Sequence, residues 1–232
     1  MTSLRVELPD RRTARMAGVL YLLIILCGIT AELVVRSALV VQGDPMTSME
    51  NIQNSTGLYH LGFVLDEVML LCDVAIAVLF YHLLKHVSKT LALMAAAFRL
   101  TQAAVLGANL LNFYTPMLLL SHATFEVFST EQVANLMSLF LQKHSYGYDL
   151  GLMFFAAANL VLGYLLIRSE FFPSVLGYLV QAAAVVYMIG SLVRFLWPAA
   201  LATIQPAYIV PLVAELAFCM YLLIRGLRTH VD

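Results

Sequence analysis

Charge is scarce in this chain. Only 12% of its residues are Asp, Glu, Lys or Arg, about half the fraction of an ordinary soluble domain. That shortage excludes a water-soluble globule, because 62% hydrophobic residues and a mean hydropathy of +0.87 leave more apolar surface than a single core absorbs. A net charge of −1 removes the electrostatic case for nucleic acid. Cysteine is nearly absent too. Cys27, Cys72 and Cys219 fall in apolar runs without a CxxC pair, so they read as small buried hydrophobes and not as a disulfide framework. No Gly-rich phosphate loop, nucleophile elbow or HExxH occurs, and glycine and proline seldom interrupt the apolar runs.

Long apolar runs are what the chain has instead. Six of them, over about 16–35, 60–82, 91–120, 146–167, 174–196 and 207–227, predict an all-α, polytopic bundle of six transmembrane helices in one domain, 1–232. Arg11, Arg12 and Arg15 imitate the start of a secretory signal, but the run that follows is long enough to span and reads as a retained helix. Pro116 is expected to kink or end the third span near Tyr114. Nine of the 13 Lys and Arg fall on one side of the spans, among them Arg5, Arg11, Arg12 and Arg15 of the basic 1–15 segment. The positive-inside rule makes that side cytoplasmic and places both termini there. Trp197 then marks the outer end of span five.

The second outer loop contains STEQVANLMSLFLQK. Ser129 and Gln132 have capping-box spacing, and Val133, Leu136, Met137, Phe140 and Leu141 follow at i, i+3, i+4, i+7 and i+8. The pattern predicts a short amphipathic helix lying in the outer interface. A weak internal repeat is also present: His60, Asp66 and Tyr81 of span two are echoed by His144, Asp149 and Tyr164 of span four. It predicts two related hairpins that bring matching groups to one vestibule.

The few charges that remain are concentrated where water is least available. Glu32, Asp66, Glu67, Asp73, Asp149 and Glu215 lie inside or at the ends of spans, facing Arg99 and Arg194, with Arg36 assigned to a loop. A charge at mid-bilayer costs at least about 2.5–3.5 kcal/mol, so these side chains face the bundle or a wet cavity. Two arginines neutralise two carboxylates at most, which leaves the rest to be hydrated, protonated or balanced by a cation. Asp73 and Arg99 are the expected structural ion pair. Glu32, His60, Asp66, Glu67, His144, Asp149 and Glu215 are the expected ligand-binding set, an acidic and histidine-bearing pocket open to the outer face. Two polar strips, Arg99–Gln102–Asn109–Asn112 and Tyr187–Ser191–Arg194, read as helix packing.

Binding or translocation of a small cation or proton-linked ligand is the leading chemistry for such a pocket. A metal-dependent membrane hydrolase at the outer leaflet is the alternative. His60, His144, Asp66 and Asp149, with His122 nearby, are its candidate ligands for a divalent cation such as zinc. The histidines are too sparse for the dense motifs such enzymes use, so the chain reads as a binder before an enzyme. A non-catalytic membrane subunit or sensor with a structural polar core is the third reading. The partners implied are the lipid bilayer and a small ligand.

At RRTARMAGVLYLLIILCGITAEL and again at HSYGYDLGLMFFAAANLVLGYLLIRSEFFPSVLGYLV, the chain resembles a bacterial integral-membrane family known as domain of unknown function 4386. The resemblance rests on the Arg-x-x-Ala-Arg start with Gly18, the His144…Asp149…Gly163-Tyr164-Leu165 run, and the Phe172-Pro173…Leu176-Gly177 turn. It implies a six-helix protein of the bacterial inner membrane and supplies no activity. Asn159 and the alanines before it depart from the small-plus-histidine pattern of that stretch, which argues against a metal there.

Overall fold

A computed structural model describes residues 10–121 and 127–228, so His122 and the first nine residues of the basic segment lie outside it. The described residues form α1 (Arg11–Leu39), α2 (Pro45–Asn54), α3 (Thr56–Leu84), α4 (Lys89–Ser121), α5 (Thr130–Arg168), α6 (Ser174–Leu196) and α7 (Pro198–Ile224), with no strand among them. Five of these, α1, α4, α5, α6 and α7, are long and apolar enough to cross a membrane by length and composition. The 29-residue α3 carries Asp66, Glu67 and Asp73 along its length.

Sequence neighbours pack as spatial neighbours. Helix α1 packs on α3, α3 on α4, α4 on α5, α5 on α6 and α6 on α7, and α7 returns to α1. The six long helices thereby close a ring. At the α5–α6 seam two glycines set the distance between backbones. A Cβ on Gly163 would lie 2.6 Å from the Gly177 carbonyl oxygen, and one on Gly177 would lie 2.5 Å from that of Gly163. Only residues without a side chain permit this approach. Gly18 does the same for α1 against α7, where a Cβ would meet the Leu223 amide nitrogen at 2.9 Å.

Local chemistry explains where the helices begin. Asp10 caps α1, accepting from the Thr13 amide at 2.9 Å and from the Thr13 hydroxyl at 2.6 Å. Asp44 caps α2 in the same way through Thr47, ahead of Pro45 in the first turn. These hydrogen bonds hold both exposed carboxyls below the usual carboxylate range. Helix α2 lies in the first interhelical connection and packs Met49 and Ile52 inward, against a side formed by α5.

Three expectations change. The Ser129–Gln132 capping box is present, but the helix it opens does not stop: it continues as the single 39-residue α5, so no separate interfacial helix forms. At 1.5 Å per residue α5 is roughly 58 Å long, far more than a hydrocarbon core needs. Pro116 does not end α4, which runs on to Ser121. Proline removes the amide that would donate to the Asn112 carbonyl, and one residue further on the buried Tyr59 hydroxyl donates to the Phe113 carbonyl while its ring stacks on Phe113 with centroids 4.4 Å apart. Finally, Arg36 is not in a loop. Helix α1 widens into a π-helical stretch, Ala31–Arg36, and carries Arg36 into the bundle. Such widenings change which face the following side chains share.

Candidate functional site: a carboxylate on an internal cavity

Arg36 changes the charge balance of the interior. Its Nη1 donates to Oδ2 of Asp66 at 2.7 Å, its Nη2 reaches Oδ1 at 3.4 Å, and its Nε donates to Glu32 at 2.7 Å. Asp66 is 3% exposed, so this is a buried pair, with the exposed Glu32 adding a second carboxylate at the rim. Helices α3 and α4 form the next pair. Arg99 donates through Nε to Oδ1 of Asp73 at 2.9 Å and through Nη2 to the same oxygen, and Gln102 donates to Oδ2 at 2.9 Å. The Arg99 guanidinium is ringed by Tyr21, Phe80 and Phe155, with Phe155 closest at 4.9 Å. Helices α5 and α6 form the third. Arg194 Nε lies 2.9 Å from Oδ2 of Asp149, a charge contact without hydrogen-bond alignment, while its Nη2 donates to Ser145 and Ser191 donates to Asp149 at 3.2 Å.

Each buried aspartate therefore has its own arginine from an adjacent helix, and the acid excess expected from two arginines is largely cancelled. Glu215 is the exception. Tyr187 donates to its Oε1 at 2.8 Å, while Arg36, Arg99 and Arg194 are all committed to aspartates.

Glu215 also lies on a cavity. Inside the ring is a space of about 210 Å³ to which all six long helices contribute. Its polar wall is Asp73, Gln102, Tyr148, Tyr187, Tyr208 and Glu215, and its apolar wall includes Ile24, Gly28, Leu152 and Phe155. The aromatic groups adjoin one another: Tyr187 packs edge-on against Phe155 at 5.5 Å and against Tyr208 at 5.9 Å. Gly190 makes room for the Tyr208 hydroxyl, which would collide with any Cβ there.

The seven residues expected in one pocket are not brought together in this cavity. Of them, Glu215 lines it. Asp66 and Asp149 are held by arginines and Glu32 shares Arg36. His60 is exposed, its ring 6.4 Å from that of Tyr114, and Glu67 is exposed on the outer surface of α3. His144 is buried, its carbonyl accepting from Asn109 at 2.8 Å and its ring tilted against Phe113. The spacing echoed between spans two and four is therefore not echoed in environment, since one histidine is outside and the other inside. Among the described residues, no three His, Cys, Asp or Glu side chains gather as metal ligands, and His60, His144, Asp66 and Asp149 do not form a divalent-cation site.

Beside Glu215 and Asp73, both singled out by the sequence, the cavity is lined by residues that the sequence marks at most as packing strips. Tyr187 and Gln102 belong to them, whereas Tyr148, Tyr208 and Phe155 stand among apolar neighbours with no distinguishing spacing. The signal for Arg36 was its distance of four residues from Glu32, the spacing of an ion pair on one helix.

Five helices long and apolar enough to cross a bilayer define a multi-pass membrane protein. The family described as Domain of unknown function (DUF4386) matches residues 16–226, and the chain belongs to it. An uncharacterized protein of Archaeoglobus fulgidus is 29% identical over 128 residues, which are 55% of this chain and 64% of that relative's length. No solved structure matches the chain.

Proposed function

We propose that the cavity binds a small cation, with Glu215 as its counter-charge. One observation carries this: Glu215 is a carboxylate on the wall of the cavity, bonded to a tyrosine and not to an arginine. A carboxylate in a low-dielectric site is stabilised either by a proton or by a cation, so the site is intrinsically proton-linked. Both carboxylate oxygens of Asp73 on this wall already accept from Arg99 and Gln102, and one of Glu215 accepts from Tyr187, which leaves too little free oxygen for a bare divalent ion that takes 6–8 ligands as Ca²⁺. Aromatic side chains beside a carboxylate instead suit an organic ammonium, whose charge interacts with ring faces as well as with the acid. A small alkylammonium is the ligand class that fits both walls.

The same reading places six spans in the bilayer, α3 included, with both termini cytoplasmic in a bacterial inner membrane. Its three charged residues are compatible with a span because two of them, Asp66 and Asp73, are neutralised within the bundle. A second reading, a non-catalytic subunit with a structural polar core, draws on the same three ion pairs.

Ligand-dependent stabilisation separates the two. Tetramethylammonium or methylammonium added to detergent-purified protein raises its thermal midpoint in a concentration-dependent way if the cavity binds it. Glu215→Gln abolishes that rise while folding normally. A midpoint that ignores both cations supports the structural reading.

A further inference from the structure

A second, smaller void adjoins the Asp73–Arg99 pair. It is a crevice of about 10 Å³, opened by the small side chains of Ala92, Ala95 and Ala96 on α4 and Ala158 on α5, and it extends to Leu84 at the end of α3. Arg99 and Asn159 lie on its wall, whereas Asp73 and Gln102 lie on the wall of the cavity. The ion pair thus stands between the two spaces.

Two polar atoms at the crevice have no protein partner. Arg99 commits Nε and Nη2 to Asp73, which leaves Nη1 buried without an acceptor. Asn159 is 1% exposed, and its Oδ1 is buried without a donor. Buried polar atoms in native proteins are almost always satisfied, so an orphan donor and an orphan acceptor on one small void call for a group that can serve both. The void has room for a single water-sized group, which rules out an organic ligand. An anion would satisfy Arg99 but not the Asn159 carbonyl.

We propose that the crevice is a binding site for one water molecule, which accepts a hydrogen bond from Arg99 Nη1 and donates one to Asn159 Oδ1. This water gives the guanidinium a hydrated partner on the side away from Asp73. Asp73 can then adjust toward the cavity without leaving Arg99 stranded, and Asn159 acts as a positioning residue for the pair. The site stands on the orphan atoms and the void, independently of what the cavity binds.

A high-resolution structure in lipid nanodiscs, combined with thermal midpoints of Asn159→Leu and Asn159→Ala, tests this. The expected results are water density within hydrogen-bond distance of both atoms and a midpoint lowered by Asn159→Leu by about 5 °C or more. Asn159→Ala enlarges the wet space and lowers the midpoint less. A dry crevice predicts the opposite sign, because leucine would fill the void and remove an unmet carbonyl, so a midpoint raised by Asn159→Leu overturns the proposal. A map that resolves other internal waters and shows none here overturns it as well. Water at this position with no ammonium binding at Glu215 refutes the cavity reading alone.

Discussion

Asp66 of α3 receives Arg36 of α1 across the helix interface, with Nη1 to Oδ2 at 2.7 Å and Nη2 to Oδ1 at 3.4 Å. The pair joins two segments that the sequence keeps thirty residues apart. The Arg36 guanidinium also lies within 6.0 Å of the Phe113 and Tyr148 rings, so α4 and α5 contact the same group.

Removing one partner leaves a buried charge with nothing to oppose it. Arg36→Ala is expected to destabilise the protein by roughly 3–5 kcal/mol, the usual range for breaking a buried pair. Arg36→Leu combined with Asp66→Leu removes both charges and recovers most of that loss. Glu32→Ala has little effect, because its side chain is 67% exposed and makes a rim contact. Equilibrium unfolding in detergent measures all three, and additive losses in the double variant would contradict the pairing.

Gly163 and Gly177 make a second prediction. Each carbonyl oxygen lies within 2.6 Å of where the other residue's Cβ would be, so alanine at either position forces α5 and α6 apart. A loss of about 1–3 kcal/mol is expected for each, the usual cost of overpacking. The same substitution at Gly57, where a Cβ meets nothing within 4 Å, serves as a control and should be close to neutral.

Outside the membrane-spanning segments, one histidine contributes to the pH dependence above the carboxylate range. His86 follows α3 in the turn to α4, packs edge-on against Phe171 at 5.1 Å and lies 3.4 Å from the Ser169 hydroxyl. Burial pushes its imidazole below the ordinary 6.5, against opposing pulls from the Leu83 backbone and the Glu170 charge. The unfolded chain therefore binds a proton near pH 6.5 while the folded one resists it. Stability contributed by neutral His86 is complete above that value and declines as pH falls toward the lowered folded value. Asp10 and Asp44 are shifted the same way as acids, so their contribution is lost only below the ordinary 3.8. His86→Gln is expected to flatten the fall in thermal midpoint between about pH 7 and about pH 5. An unchanged slope would reject the assignment.

The architecture was more legible than the site. Hydropathy and length identify the apolar helices without any tertiary information, and the Ser129–Gln132 box marks the α5 start to the residue. Where α5 begins its span is not marked, because amphipathic periodicity is the same for a helix lying on a membrane and for one continuing into it. Arg36 was hidden by the reasonable rule that an arginine after an apolar run is a loop residue, which a π-helical widening sets aside. The carboxylates were found by type, yet their partners depend on which helices adjoin. Asp66 turns to α1, Asp73 to α4 and Asp149 to α6, and no spacing along the chain encodes that choice. Tyr148 and Tyr208 could not be singled out, since a tyrosine beside a cavity and one at a lipid boundary have the same sequence context.

Equilibrium binding of radiolabelled methylammonium to purified protein tests most directly the proposal that Glu215 is the counter-charge of a cation site. Wild-type protein and Glu67→Gln are expected to bind alike, because Glu67 is on the outer surface of α3 and not on the cavity. Glu215→Gln is expected to weaken binding at least about tenfold, or about 1.4 kcal/mol. Binding that survives Glu215→Gln unchanged, or that is lost in Glu67→Gln instead, would contradict it.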